Sequence, residues 1–234
     1  MSLGRLPILC KRGVLLFPLL LFVLVVTVVT VCPDEPFVIP EQTLRMAEKQ
    51  YGPAARQRLL EWQHLIQTSD ASSEKEQLDT VNRFFNRLDF IDDIIHWQQE
   101  DYWATPVEFL ASGGGDCEDF AIAKFFTLLL LGIPEAKLTL TYAKALHLNQ
   151  AHMVLTYYPS PGAEPLVLDN LVDTIDPSSQ RTDLLPVYSI NGTGLWLAKQ
   201  RGRGKLVGDS SRLSRWSDLL TRIDQELSFL KDIP

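Results

Sequence analysis

Cys117 is a lone thiol delivered by Gly113-Gly114-Gly115-Asp116 to the start of a strongly apolar segment, with Glu118 and Asp119 directly behind it. If a helix starts there, its unpaired N–H groups and positive dipole end point at the sulfur and favour thiolate, the nucleophilic form. A cysteine by type alone is as well explained as a small buried hydrophobe, so a chemical role needs partners. A thiol needs a base, and the base needs a group that holds its tautomer. His152 follows Asn149-Gln150 at the opening of a β-type run, and Asp169 closes a short apolar run 17 residues further on. Adjacent antiparallel strands would set these two side by side. His64 and His96 fall in the helical N-terminal region and read as surface or packing residues, and His147 precedes a turn, so His152 is preferred. Asp173 and Asp176 rival Asp169, but Asp176-Pro177-Ser178 is turn chemistry.

The carboxylates beside the thiol pose a problem, because Asp116, Glu118 and Asp119 repel a thiolate. They either cap the first turn and complement the helix dipole, or hold a hard, oxygen-preferring cation such as calcium that offsets their charge. Three side chains are too few for a complete calcium shell, so backbone oxygens and water would have to join them.

The elements that must position these groups follow from periodicity. Pro33, Pro36 and Pro40 mark an extended lead-in. Leu44, Met46, Tyr51, Leu59, Leu60, Trp62 and Leu65 form an amphipathic stretch broken at Gly52-Pro53. Ser72-Ser73-Glu74-Lys75-Glu76 caps a third helix carrying Leu78, Val81, Phe84, Phe85 and Leu88. Thr105-Pro106 with Glu108 caps a short helix that ends at the glycines. Phe120 to Leu131 is apolar almost all round and stops at Gly132-Ile133-Pro134, as a buried helix does. The period then changes to strands: Lys137–Tyr142, His152–Tyr158, Leu166–Asp169, and a hairpin of Val187–Ile190 with Leu195–Leu197 about Asn191-Gly192. A last amphipathic helix carries Leu213, Trp216, Leu219, Leu220, Ile223, Leu227 and Leu230 behind an Asp209-Ser210-Ser211 cap.

Composition bounds the partners. The chain has 234 residues, 46% of them hydrophobic. Arg5, Lys11 and Arg12 precede an uncharged apolar run from Val14 to Val31, the layout of a secretory signal or an uncleaved N-terminal anchor over residues 1–31. The remainder, 32–234, reads as one domain: a helical lobe over about 40–132, a sheet lobe over about 136–200 and a C-terminal helix over about 210–231. Beyond residue 31 there are 19 Lys and Arg against 29 Asp and Glu, a formal charge of −10, which argues against nucleic acid. Arg201, Arg203 and Lys205 among Gly202, Gly204 and Gly208 match no phosphate-binding loop and read as a solvated loop. Cys10, Cys32 and Cys117 fit neither a disulfide framework nor a zinc site.

Cys, His and Asp in this order, with Cys at a helix start and the others on following strands, resemble the transglutaminase-like branch of the papain-type fold. Tyr102-Trp103-Ala104-Thr105-Pro106, then Gly114-Gly115-Asp116-Cys117-Glu118-Asp119-Phe120-Ala121, Ala151-His152-Met153-Val154 and Leu168-Asp169-Asn170 are similar to the bacterial transglutaminase-like cysteine proteases, the LapG-type periplasmic enzymes that release large adhesins. The resemblance covers about residues 40 to 200. It implies an α+β, papain-like/transglutaminase-like fold, with a helical N-terminal lobe, an antiparallel sheet lobe and the nucleophile at the N-terminus of a buried helix. It implies Cys117 as nucleophile, His152 as general base and then acid, Asp169 as the group that orients the imidazole, and Asp116, Glu118 and Asp119 as Ca2+ ligands. It also implies cleavage between small residues near the N-terminus of a large cell-surface adhesin in the periplasm, promoting biofilm dispersal, with an inner-membrane cyclic-di-GMP receptor whose periplasmic domain restrains the protease. The Cys117 backbone N–H would serve the oxyanion, with the Trp103 indole as a candidate second donor. Alternatives from other classes are an acyltransferase or amidase using the same triad, and a binding module that keeps the fold without turnover.

Overall fold

The computed structural model describes residues 36–69, 72–192, 194–197 and 205–226. The apolar N-terminal run, Cys10, Cys32 and most of the basic Arg201–Lys205 run lie outside the described residues. Among those described, no helix is long and apolar enough to cross a membrane.

The helical half opens with α1 (Glu41–Tyr51), which ends at Gly52, and α2 (Pro53–Ser69), which starts on the proline as expected. They bury Leu44, Leu59, Trp62 and Leu65 but turn Met46, Tyr51 and Leu60 to solvent, so the apolar stripe is narrower than the sequence suggests. Helix α3 (Glu74–Phe85) is fixed by a capping box in which Ser73 and Glu76 satisfy each other's backbone N–H groups. Next come β1 (Asp89–Phe90) and the one-turn α4 (Asp93–His96), then α5 (Pro106–Ser112), capped by Thr105 and Glu108 with Pro106 at its first position.

The glycine run is not the flexible lead the sequence suggests. Gly113 closes α5 in the left-handed region at φ 93°, and Gly114–Gly115 form β2, paired in parallel with β1. A Cβ on Gly115 would stand 2.1 Å from Asp119 Oδ2, so the carboxylate occupies the space a side chain would need. Helix α6 (Cys117–Leu130) follows, with Asp116 and Asp119 forming a third capping box.

The rest is a seven-stranded antiparallel sheet in the order β6-β5-β4-β3-β7-β8-β9: β3 (Leu138–Ala145), β4 (Gln150–Tyr157), β5 (Leu166–Leu168), β6 (Asp176–Pro177), β7 (Leu184–Ile190), β8 (Gly194–Leu197) and β9 (Leu206–Asp209). Strand β9, in a stretch that reads as loop, adds an edge. Helix α6 lies on β3 and β4, where Leu138, Leu140, Met153, Leu155 and Tyr157 alternate toward it and join the core. Burying a side chain such as Leu140 is worth about 2 kcal/mol. The opposite parity places Thr139, Thr141, Thr156 and Ser189 on the outer face, where their hydroxyls link across β4, β3 and β7 at 2.6–3.0 Å. Helix α7 (Ser214–Glu226) buries Trp216 against Phe125 and Phe126 of α6. Its Arg222 holds the Trp103 carbonyl at 2.5 Å and pairs with Glu108. This pins the segment that crosses over the start of α6.

Candidate active site

Cys117 is the first residue of α6. Its sulfur receives the Met153 backbone N–H, and its own S–H reaches Glu118 Oε2 at 2.7 Å. The sulfur therefore sits against the strand residue that follows His152. His152 is not at the opening of β4 but third along it, so its ring is buried; His147 falls in the exposed turn before β4 and His64 on the exposed face of α2. His96 packs edge-on to Trp97 beside the Gly114 backbone.

His152 Nε2 meets Asp169 Oδ1 at 2.8 Å, just past the end of β5. Burial alone would raise the Asp169 pKa, but hydrogen bonds and charge from His152, the Leu171 N–H and Arg181 outweigh it and hold the group down at about 2. An ionised carboxylate only accepts, so Nε2 must carry the proton and Nδ1 keeps its lone pair in the neutral ring. Arg181, which no sequence motif singles out, donates from Nη2 to Asp169 Oδ2 at 2.6 Å. Behind the aspartate, Asn86 Nδ2 donates to the Asp169 carbonyl at 2.9 Å, and Asn86 Oδ1 accepts from the buried Lys124 Nζ at 2.6 Å. Burial lowers the Lys124 pKa to about 7, against the opposing pull of Asp169 and Asp173. The Asp173 carboxylate accepts from Asn86 and its carbonyl from Asn82, and Asp176 pairs with Val167 in the sheet, so neither rival is hydrogen-bonded to His152 among the described residues.

The acids next to the thiol divide into two sets that share Asp116. Asp116 and Asp119 gather with Asp93 of α4, while Glu118 turns instead toward Asp116 and Cys117; each set has ligand atoms within 4.8 Å of one another. Asp93 was invisible in the sequence, where it reads as part of an acidic and aromatic block; the β1–β2 pair carries α4 across to the start of α6. Asp119 is fully buried, with Oδ1 accepting the Ala104 N–H at 2.7 Å and Oδ2 the Asp116 N–H. Asp93 accepts the Tyr102 N–H on Oδ2, while its buried Oδ1 has no partner among the described residues. Burial and mutual repulsion raise all three pKa values, Asp93 to about 6, Asp116 to about 10 and Asp119 well up. Burial, then Glu118 and Asp116, pushes the Cys117 thiol up as well. Buried or half-buried carboxylates packed together, with an orphaned oxygen and no basic side chain bonded to them among the described residues, fit a hard divalent cation.

The Trp103 indole donates to Asp101 Oδ1 at 2.9 Å, so this donor is already engaged and does not serve the oxyanion in this arrangement.

The family model for the bacterial transglutaminase-like cysteine proteinases (BTLCP) matches residues 58–198. The chain belongs to this family. Solved structures of Legionella pneumophila LapG share 46% sequence identity with it. The EGTA-treated form has a TM-score of 0.70 and covers 81% of this chain and 100% of that one. The calcium-bound form has a TM-score of 0.68, covering 80% and 99%. No curated protein is a significant match to the chain. This BTLCP member is therefore a cysteine protease with the α+β, transglutaminase-like fold. The helical and sheet parts meet where the family's chemistry is expected, at the start of α6.

Proposed function

We propose that this protease is a calcium-dependent periplasmic endopeptidase with Cys117, His152 and Asp169 as its triad, cleaving the N-terminal region of a large cell-surface adhesin to release it and promote biofilm dispersal. The carrying observation is the 2.8 Å pairing of His152 Nε2 with an ionised Asp169, on the strand whose next backbone N–H holds the Cys117 sulfur.

His152 Nδ1 takes the thiol proton, and the sulfur attacks the peptide carbonyl. The Cys117 backbone N–H, unpaired within the first turn of α6, stabilises the developing oxyanion. The imidazolium then gives its proton to the leaving amine, and neutral His152 activates the water that releases the acyl group. Asp169 stays ionised throughout and steadies the imidazolium. Asp93, Asp116 and Asp119 would hold calcium, with Glu118 beside them. Bound calcium would offset the carboxylate charge next to the sulfur and so favour the thiolate.

Calcium-bound LapG, at 46% identity, supports the metal. The basic and apolar N-terminal sequence supports export, and the resemblance supports both the adhesin and restraint by the periplasmic domain of a cyclic-di-GMP receptor. The test compares secreted and surface proteins of cells carrying wild-type or Cys117→Ala protein, with and without a calcium chelator. One large polypeptide shed only with intact thiol and calcium is expected. Shedding that persists in Cys117→Ala cells defeats the proposal.

A further inference from the structure

Arginine is almost never fully buried without a partner, yet Arg181 is only 6% exposed in the turn between β6 and β7. Its Nη2 donates to Asp169 Oδ2 at 2.6 Å and to Asp183 Oδ2 at 2.7 Å, and its Nε donates to Asp183 Oδ1 at 3.0 Å. Asp183 thus grips the guanidinium edge in a fork and fixes the plane of the group. We propose that Arg181, clamped by Asp183, is a positioning residue for the reaction: it holds the Asp169 carboxylate by Oδ2 so that Oδ1 faces His152 Nε2 in ionised form throughout the cycle. The proposal rests on reading Cys117, His152 and Asp169 as the triad.

A carboxylate this buried, without a cation, takes up a proton, and a protonated Asp169 no longer dictates which imidazole nitrogen carries hydrogen. The charges around it balance through the cycle. Asp169, Asp183 and Arg181 together carry one negative charge, which the imidazolium neutralises when the thiol proton arrives. Removing Arg181 leaves two negative charges, the buried Asp169 and the half-exposed Asp183, and removing Asp183 leaves none for the imidazolium to meet. The remaining groups facing Asp169 are His152 of β4, Lys124 of α6, Asn86 of α3 and Asp173. Lys124 acts on Asp169 by charge, and its hydrogen bond runs to Asn86, which binds the main-chain carbonyl, so it does not orient the carboxylate. Arg181 also borders a cavity of about 340 Å³ on the outer face of the sheet, with Thr141, Val154, Val167 and Ser189, and its Nη1 has no partner among the described residues. Truncating the side chain therefore opens the Asp169 side to a space that a small cation can enter.

The test measures hydrolysis of a fluorogenic peptide carrying an Ala-Ala pair, and alkylation of Cys117 by iodoacetamide, both on calcium-loaded protein. Arg181→Ala is expected to lower kcat about 100-fold with KM within about threefold, and to slow alkylation. The acid limb of the pH profile should move upward, since Asp169 then protonates more easily. Free guanidinium should restore part of kcat, and Arg181→Lys should fall between the two. A kcat within about threefold of wild type with an unmoved acid limb overturns the proposal. So does a loss that comes without an acid-limb shift and that neither guanidinium nor lysine repairs, which marks a merely structural role. If Arg181→Ala does not fold, Asp183→Asn decides, because Asp183 is half-exposed: the acid limb should move downward and kcat fall severalfold, and no change in either overturns the proposal. Cys117→Ala and His152→Ala separate the two ideas. If either still hydrolyses the peptide, the triad reading fails; if both are dead while Arg181→Ala is active, only the positioning role fails.

Discussion

Acidic side chains flank the first turn of α6 on two sides, and the two arrangements are built in opposite ways. On one side Asp169 is surrounded by its own partners: His152 and the Leu171 N–H on Oδ1, Arg181 on Oδ2, and Asn86 with Lys124 behind. On the other, Asp93, Asp116 and Asp119 accept backbone N–H groups, and among the described residues no basic side chain is bonded to them and one buried oxygen of Asp93 has no partner. The first group is held ionised and the second is pushed toward its protonated form. On the function proposed above, the chain supplies the cations for the group that would orient the base. For the group next to the proposed nucleophile the positive charge would come from solution, which would make the sulfur's ionisation conditional on a ligand.

The largest expected effect comes from removing the built-in group. Asp169→Asn keeps the side-chain volume but lets the imidazole choose the wrong tautomer, and peptide hydrolysis should fall by about 1,000-fold or more. Calcium binding, read by calorimetry, should stay within about twofold of wild type. Activity that survives in Asp169→Asn would break the contrast on that side. The next effect concerns the ligand-dependent group. Calcium at about 100 times its dissociation constant should stabilise the protein by about 2.7 kcal/mol, raising the thermal midpoint by several degrees, and EGTA should remove the gain. Asp93→Asn should weaken calcium binding by about tenfold or more, because it removes a charge and a candidate ligand oxygen. An unchanged calcium affinity in Asp93→Asn would show that the cluster around α4 is not where the ion sits.

Which parts of this were legible in the sequence follows from how far apart the interacting residues lie. Cys117 is announced by its neighbours, because a capping acid and an apolar run are local signals of a helix start. His152 and Asp169 are announced by strand alternation, and the antiparallel register then brings them together. Asp93 and Arg181 are not announced by anything local. Asp93 lies 23 positions before Asp116 and is carried to it by a two-residue parallel bridge between Asp89–Phe90 and Gly114–Gly115, too short to leave a pattern. The glycines read as flexibility, whereas Gly115 is demanded by the Asp119 carboxylate against it. Arg181 stands among Gln180, Thr182 and Asp183, a polar stretch indistinguishable from a solvated turn until β5 and β7 set it over Asp169. Strand β9 escaped for a similar reason, since Leu206-Val207-Gly208-Asp209 is short and glycine-bearing.

A smaller effect separates the two groups by pH. Asp169 has its pKa lowered from 3.8 to about 2, so the folded state binds this proton less readily than the unfolded chain. Its stabilisation is present above about pH 4 and is lost as pH falls toward 2, amounting to about 2 kcal/mol for this fully buried group. Denaturant midpoints measured between pH 5 and 2 should show that loss in wild type and a flatter curve in Asp169→Asn. The smallest effect tests the rival acid. The Asp173 carboxylate is hydrogen-bonded to the network by Asn86 at 3.0 Å and acts on Lys124 by charge, and Asn86 keeps the Asp169 carbonyl and Lys124 when that bond is gone. Asp173→Asn should therefore cost no more than about 1 kcal/mol in a denaturant titration and leave kcat within about twofold. A loss approaching that of Asp169→Asn would mean that the orienting charge is spread over both aspartates through Asn86, and that the built-in group extends further from His152 than its direct hydrogen bonds.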